Sequence, residues 1–251
     1  MKDEGEGKSV ACCQFQVTCF RLPVTGNRYQ FCLTATLYLY PMYLVKTPWW
    51  LRALYPSLTW RMAGREKIIY LTFDDGPHKT ATPFVLDQLR QSNAKASFFC
   101  IGKNVAAHPD IYQKILNEGH STGNHTYNHV NGWKVSDAVY LKEIEATEAL
   151  VTSNLFRPPY GRIKRSQLKK LQTTNPNLHT IMWDVLSADF DANITPDGCL
   201  AYVLYHTKPG SIVLFHDSAK AWERMRYALP KMLEHFTREG FAFRALNQYG
   251  E

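Results

Sequence analysis

The sequence predicts an α/β fold whose core is a parallel sheet closed into a barrel, and three observations carry that expectation. From Lys67 onward, short runs rich in β-branched and aromatic residues alternate with segments of helical period, seven runs in all. The stretches between runs are long enough for crossovers, which parallel neighbours need and hairpins do not. The side chains with chemistry to offer fall just after the runs, at the strand ends where a parallel barrel carries its site. With 251 residues, 45% hydrophobic and 20% charged, the chain can bury one sizeable core and has an ordinary globular composition.

Residues 68–73 form the first run and lead into Asp74 and Asp75. Thr82 as N-cap and Pro83 at the first helical position then open a helix with Val85, Leu86 and Leu89 inward. Residues 96–101 make the second strand, and Pro109 opens a helix carrying Ile111 and Ile115. A short third strand leads to Asn124, after which Ser136 caps a helix expected to reach Ser153. Further strands are expected at 155–157, 179–185, 211–216 and 241–246. Between the last two, Trp222, Met225, Leu229, Met232, Leu233 and Phe236 recur at helical spacing, with a kink expected at Pro230.

The N-terminal region reads differently. Cys12, Cys13, Cys19 and Cys32 show no spacing suited to zinc, whereas Cys100 and Cys199 are expected as buried thiols. A semi-apolar run at 31–45, interrupted by Thr34, Thr36 and Pro41, is too short for a bilayer span and too far along for an ordinary signal peptide. A weak membrane anchor is the most it offers, and localisation stays open between cell envelope and cytoplasm. Met42 is expected to open the functional chain: 1–41 an extension, 42–66 a lead-in, 67–251 the catalytic domain. The formal net charge is +7, but apart from Arg162, Lys164, Arg165, Lys169 and Lys170 the basic residues are scattered, which argues against nucleic acid. A monomer is expected.

Adjacent Asp74 and Asp75, before Gly76-Pro77, are the most informative pair. Turn chemistry alone would account for them, but neighbouring acids at the end of a buried strand are costly without a cation. His125 and His129, taken alone, fit a solvent-facing pair or two satisfied core histidines as well as they fit a metal site. Together, one carboxylate and two imidazoles make a metal site with an open position, the build of a catalytic centre.

Five ordered motifs extend this reading. Thr72-Phe73-Asp74-Asp75-Gly76-Pro77, His125-Thr126-Tyr127-Asn128-His129, Arg157-Pro158-Pro159-Tyr160, the segment 186–190 and Leu214-Phe215-His216 together resemble the polysaccharide deacetylase family, the NodB-homology domain of carbohydrate esterase family 4. The resemblance runs from about Lys67 to Leu246. It implies a distorted (β/α)7-type barrel resembling a TIM barrel, and metal-dependent removal of acetyl groups from N-acetylated sugars. In the fourth motif, Leu186 and Phe190 stand where the family commonly has Asp and Trp, while Asp189 is retained.

On that resemblance, Asp75, His125 and His129 are expected to hold a divalent metal, Zn before Co, Ni or Mn. Asp74 is expected as general base, Arg157 as its charge-assisted partner, and His216 as general acid kept protonated by Asp189. The Tyr160 N–H is expected as an oxyanion donor, with Leu214 and Phe190 as apolar walls of the substrate site. Asp184 has no assigned role, and His120 is expected to be structural. The expected partner is an N-acetylated glycan, peptidoglycan or chitin-like. Two other readings stand beside it: the same centre acting on a small cyclic or acyl amide, and an idle glycan-binding protein.

Overall fold

The structure, a computed structural model, describes residues 43–246 and, as backbone, residues 16–22 and 30–36. Two compact units are present, residues 1–44 and 45–251. In the first, β1 (Gln16–Leu22) and β2 (Gln30–Thr36) pair antiparallel. Cys12, Cys13, the side chains of Cys19 and Cys32, the expected start at Met42 and residues 37–42 of the run at 31–45 lie outside the described residues. Among the described residues, no helix is long and apolar enough to cross a membrane.

The second unit begins with α1 (Trp49–Leu54) and continues with β3 (Ile68–Asp74), α2 (Ala81–Gln91), β4 (Ala96–Cys100), α3 (Gly102–Ala107), α4 (Pro109–Asn117) and β5 (Ser121–Asn124). Then come α5 (Asp137–Glu148), β6 (Leu155–Phe156), α6 (Arg165–Thr174), β7 (His179–Thr180) and β8 (Val185–Leu186). It ends with α7 (Pro196–His206), β9 (Ile212–His216), α8 (Trp222–Arg238) and β10 (Ala242–Phe243). Seven parallel strands run in the order β7-β6-β5-β4-β3-β9-β8, and β10 adds in parallel at the start of β3.

β7 and β8 stand at opposite ends of that order, yet residues 181–184 alone join them. Five residue steps reach at most about 17 Å, so the sheet curls until its edges almost meet. The expected (β/α)7-type barrel is therefore present, with a seam between β7 and β8. Residues ahead of β3 fill that seam: Thr59 bridges Ile181, Lys46 bridges Val185 and Arg61 bridges Ser211.

Alternation along each strand sorts side chains between barrel and helices. Ile69, Leu71 and Phe73 of β3, with Val213 and Phe215 of β9, pack among the apolar faces of α2 and α8. Tyr70, Phe99, Leu155, Ile181, Ile212 and Leu246 pack as a separate apolar layer on the other side. The same period sends Thr72, Asp74, Leu214 and His216 into the barrel, with Asp74 opposite His216 in register.

Several expected boundaries move. α2 starts at Ala81 with Thr80 in the N-cap position, so Thr82 is a buried first-turn residue whose hydroxyl donates to Asp217 Oδ2. The His78 ring caps that helix instead: its Nδ1 accepts from the N–H groups of Thr80 and Ala81 at 3.3 and 3.1 Å. The second strand stops at Cys100, and Ile111 is only half-buried beside fully buried Ile115. α5 stops at Glu148, the 179–185 strand divides into β7 and β8, and the last strand shrinks to Ala242–Phe243. α8 continues through Pro230. Cys100 and Cys199 are free and buried, as expected.

Asp184 belongs to the seam, not to the strand-end site: its Oδ2 accepts from Lys46 Nζ (2.6 Å) and Ser211 Oγ (2.7 Å), beside the start of β9. Nearby, Gly210 has φ +81, and a Cβ there would lie 2.4 Å from the Met62 carbonyl oxygen. Gly210→Ala should therefore cost more than about 2 kcal/mol, through left-handed strain and displacement of the seam-filling segment together. Chemical unfolding of parent and variant measures this; equal midpoints would contradict the close approach.

Candidate active site

At the C-terminal strand ends the barrel interior turns polar around one guanidinium. Arg157, fully buried just after β6, donates from Nη1 to Thr72 Oγ1 and Asp74 Oδ1, both at 2.8 Å. Its Nη2 donates to Met182 O (2.8 Å), its Nε to Ile181 O (3.2 Å), and its Cζ lies 4.0 Å from the Phe99 ring centre. Burial lowers its pKa and Asp74 opposes that fall. Asp74 Oδ1 is thus occupied, while Oδ2 lies 3.7 Å from His125 Nε2.

A strand would send Asp74 and Asp75 to opposite faces. The chain avoids this by leaving the β region at Asp75, with φ 79, and Asn104 Nδ2 holds the Asp75 carbonyl at 2.7 Å. Asp75 Oδ1 consequently lies 3.2 Å from His129 Nε2 and 3.8 Å from His125 Nε2. Gly76 is required next: a Cβ there would sit 2.1 Å from Asp217 Oδ2.

The two histidines come from a loop, not a helix. Thr126 and His129 have φ 61 and 56, and Glu143 of α5 holds the loop through the N–H (2.7 Å) and side-chain amide (3.0 Å) of Asn128. The His125 and His129 rings approach to 5.0 Å. Only 2.7 Å separates His125 Nδ1 from Arg157 O; an Nδ1–H donor there leaves the Nε2 lone pair facing Asp75.

These residues fit a divalent cation. One ligand atom from each of Asp75, His125 and His129 lies within 4.8 Å of the others, and buried Asp75 Oδ1 has no hydrogen-bond partner. Burial pushes the pKa of His125 well down and that of His129 down, so both imidazoles are neutral, as ligation requires.

Across the mouth, His216 Nδ1 meets Asp189 Oδ1 at 2.7 Å, and Asp189 Oδ2 accepts the His216 backbone N–H at 2.7 Å. Burial alone would lower the imidazolium pKa, but the charge and hydrogen bond of Asp189 outweigh it and raise it to about 9. Phe190 stands edge-on to His216, ring centres 5.3 Å apart. Tyr160 takes φ 59 with its ring 4.5 Å from His129, and Leu214 lies buried on β9 between Thr72 and Leu186. All ten expected site residues thus gather at or line this end of the barrel.

Asp217 escaped the sequence reading. Fully buried, with Oδ1 unpartnered, it has its pKa pushed up to about 8 by burial and by Asp75 and Asp74, against the Thr82 hydrogen bond. Its position directly after His216, an acid closing an apolar run, was the available signal; Asn104 offered none. His120 is structural: Nδ1 accepts the Ala96 N–H at 3.2 Å, and burial lowers its pKa to about 4.

A centre with one carboxylate–imidazole cluster suited to a cation, and separate groups suited to moving protons, is that of a barrel hydrolase. The polysaccharide deacetylase family model matches residues 61–177. A peptidoglycan-N-acetylglucosamine deacetylase of Bacillus cereus is 37% identical over 192 residues, covering 74% of this chain and 89% of that protein. Another from the same species is 40% identical over 156 residues, 60% of this chain and 56% of the relative, so this match spans about half of the longer protein. The solved Bc1960 peptidoglycan N-acetylglucosamine deacetylase, in complex with 4-naphthalen-1-yl-N-oxidanyl-benzamide, superposes with TM-score 0.72 at 34% identity, covering 80% of this chain and 95% of that one. BA3943 of Bacillus anthracis, a pseudoenzyme of carbohydrate esterase family 4, gives TM-score 0.65 at 25% identity, covering 74% of this chain and 66% of its own.

The chain belongs to the polysaccharide deacetylase family. By class it is a hydrolase of carbon–nitrogen bonds other than peptide bonds.

The His216–Asp189 pair makes a measurable statement. Asp189→Asn should drop the His216 titration midpoint well below 9, because burial is then opposed only by the charges of Asp75 and Asp74. Histidine resonances followed by NMR against pH report it directly. In the parent, the stability from this pair is full below about pH 6.5 and lost as pH rises through 9, a loss the variant should not show.

Proposed function

We propose that the protein removes N-acetyl groups from a glycan built on N-acetylglucosamine, peptidoglycan or chitin-like, with a divalent cation at Asp75, His125 and His129. The observation that carries this reading is the division of labour between adjacent acids: Asp75 faces two neutral imidazoles, while Asp74 is held by Arg157 and lies opposite His216 in register. A cation there, zinc before cobalt, nickel or manganese, would supply Lewis acidity, making a water more acidic and polarising the acetyl carbonyl.

The side chains supply the proton movements. Asp74 accepts the proton of the attacking water at Oδ2, since Oδ1 is held by Arg157. His216, with Nδ1 held by Asp189, delivers a proton from Nε2 to the departing amine, which leaves far more readily protonated than as an anion. The Tyr160 N–H donates to the developing oxyanion, aided by a backbone already turned to φ 59. Leu214 and Phe190 wall the space for the acetyl methyl and sugar; with Phe190 in place of an indole, that wall offers shape without a hydrogen-bond donor.

Acetate release from N-acetylglucosamine oligomers, by metal-stripped and metal-restored protein, tests the activity. Restoration should return turnover, and release from small cyclic amides alone would move the assignment to that class. A wholly silent protein would favour the idle glycan-binding reading. Asp75→Ala should lose both bound metal and turnover, whereas Asp74→Asn should keep the metal by elemental analysis and lose about 100-fold or more in kcat. Comparison of His216→Ala on an acetamide and an activated acetate ester should show the larger loss on the amide; equal losses would remove His216 as acid. On the amide, kcat/KM should fall above about pH 9 as His216 loses its proton.

A further inference from the structure

On the flank of the barrel, beside the seam, α1 is built with its apolar side outward. Leu51 turns inward among Leu58, Trp60, Leu168 and Met182. Trp49, Trp50, Ala53 and Leu54 share the other side, an arc of about 140° at 100° per residue, and all are exposed: Trp49 at 73%, Trp50 at 52%, Leu54 at 54%. Two adjacent exposed tryptophans on a six-residue helix have no folding rationale in the described residues.

The charges nearest α1 are basic. Arg52, on α1 itself, and Arg61 line an open cleft of about 490 Å³ with Pro56, Trp60 and Met62. Neither makes an ion pair among the described residues, although Arg61 Nη2 donates to Pro209 O at 2.6 Å. A second cleft of about 310 Å³, lined by Arg65, Arg244 and Glu66, follows beyond Ala63. No Asp or Glu occurs from Val45 to Arg65, while Lys46, Arg52, Arg61 and Arg65 all fall there.

We propose that this face docks the protein on an anionic lipid bilayer, with Trp49, Trp50 and Leu54 entering the headgroup boundary and Arg52 and Arg61 meeting lipid phosphates. Indole rings favour that boundary, and each nearby cation adds attraction to anionic lipid. Arg61 and Pro209 lie at the start of β9 and His216 at its end, so about 16 Å of strand separates the Arg61 cleft from the catalytic imidazole.

Co-sedimentation of the full chain with phosphatidylcholine vesicles, with and without phosphatidylglycerol, tests the proposal. Binding should need phosphatidylglycerol and weaken with salt. Trp49→Ser with Trp50→Ser should reduce partitioning about tenfold or more, and Arg52→Gln about fivefold, with acetate release in solution unchanged. Absence of pelleting overturns the proposal, as does equal pelleting of parent and tryptophan variant, which would transfer the attraction to residues 7–42. A tryptophan-dependent dimer by light scattering, or tryptophan-dependent pelleting with insoluble chitin in place of vesicles, would assign the face to a second copy or a glycan.

Discussion

One buried cation organises the catalytic end of this barrel. A guanidinium removed from water is costly unless its donors are met, and the acceptors around Arg157 come from two parts of the fold: Thr72 and Asp74 on β3, Ile181 and Met182 in the seam. Its own carbonyl fixes the ring of His125. The proton acceptor, one imidazole of the cation cluster and the point of barrel closure are therefore tied to a single side chain. Removing one member of such a buried pair generally costs about 3–5 kcal/mol, so the site and the fold cannot be loosened separately here.

The two histidine environments show how burial can serve opposite ends. His125 and His129 are desolvated and face Asp75, with burial outweighing its attraction, and stay neutral with lone pairs available. His216 is desolvated too, but Asp189 meets it with two hydrogen bonds, one to the ring and one to the backbone, and it keeps its proton. The difference is partner geometry, not residue type. A buried carboxyl on the far side of Gly76, Asp217, completes the set, its pKa pushed up to about 8 by burial.

Much of this could be read from the chain because the chemistry and the topology point to the same strand ends. Asp74, Asp75, His125, His129, Arg157, Asp189 and His216 each close or follow a recognisable run, and period-two burial decides which of them face inward. What escaped was local or long-range. Helices α3, α6 and α7 lie in stretches that were not assigned, although Thr195-Pro196 does cap the last of them. Asp184 has no role legible from sequence, because its partners Lys46 and Ser211 are 138 and 27 residues away and no local pattern reveals them. The split of 179–185 depends on where the sheet edges meet, which is a property of the closed barrel.

The register of β3 with β9 carries a further consequence. Asp74 and His216 sit opposite one another on a hydrogen-bonded ladder, whereas His125, His129, Tyr160 and Phe190 sit on connections. Insertions and deletions accumulate in connections and are rejected in ladders. Lineages can thus remodel the rim for a new polymer while the span from proton acceptor to proton donor is inherited unchanged, like the fixed jaw spacing of a tool whose handles are exchanged.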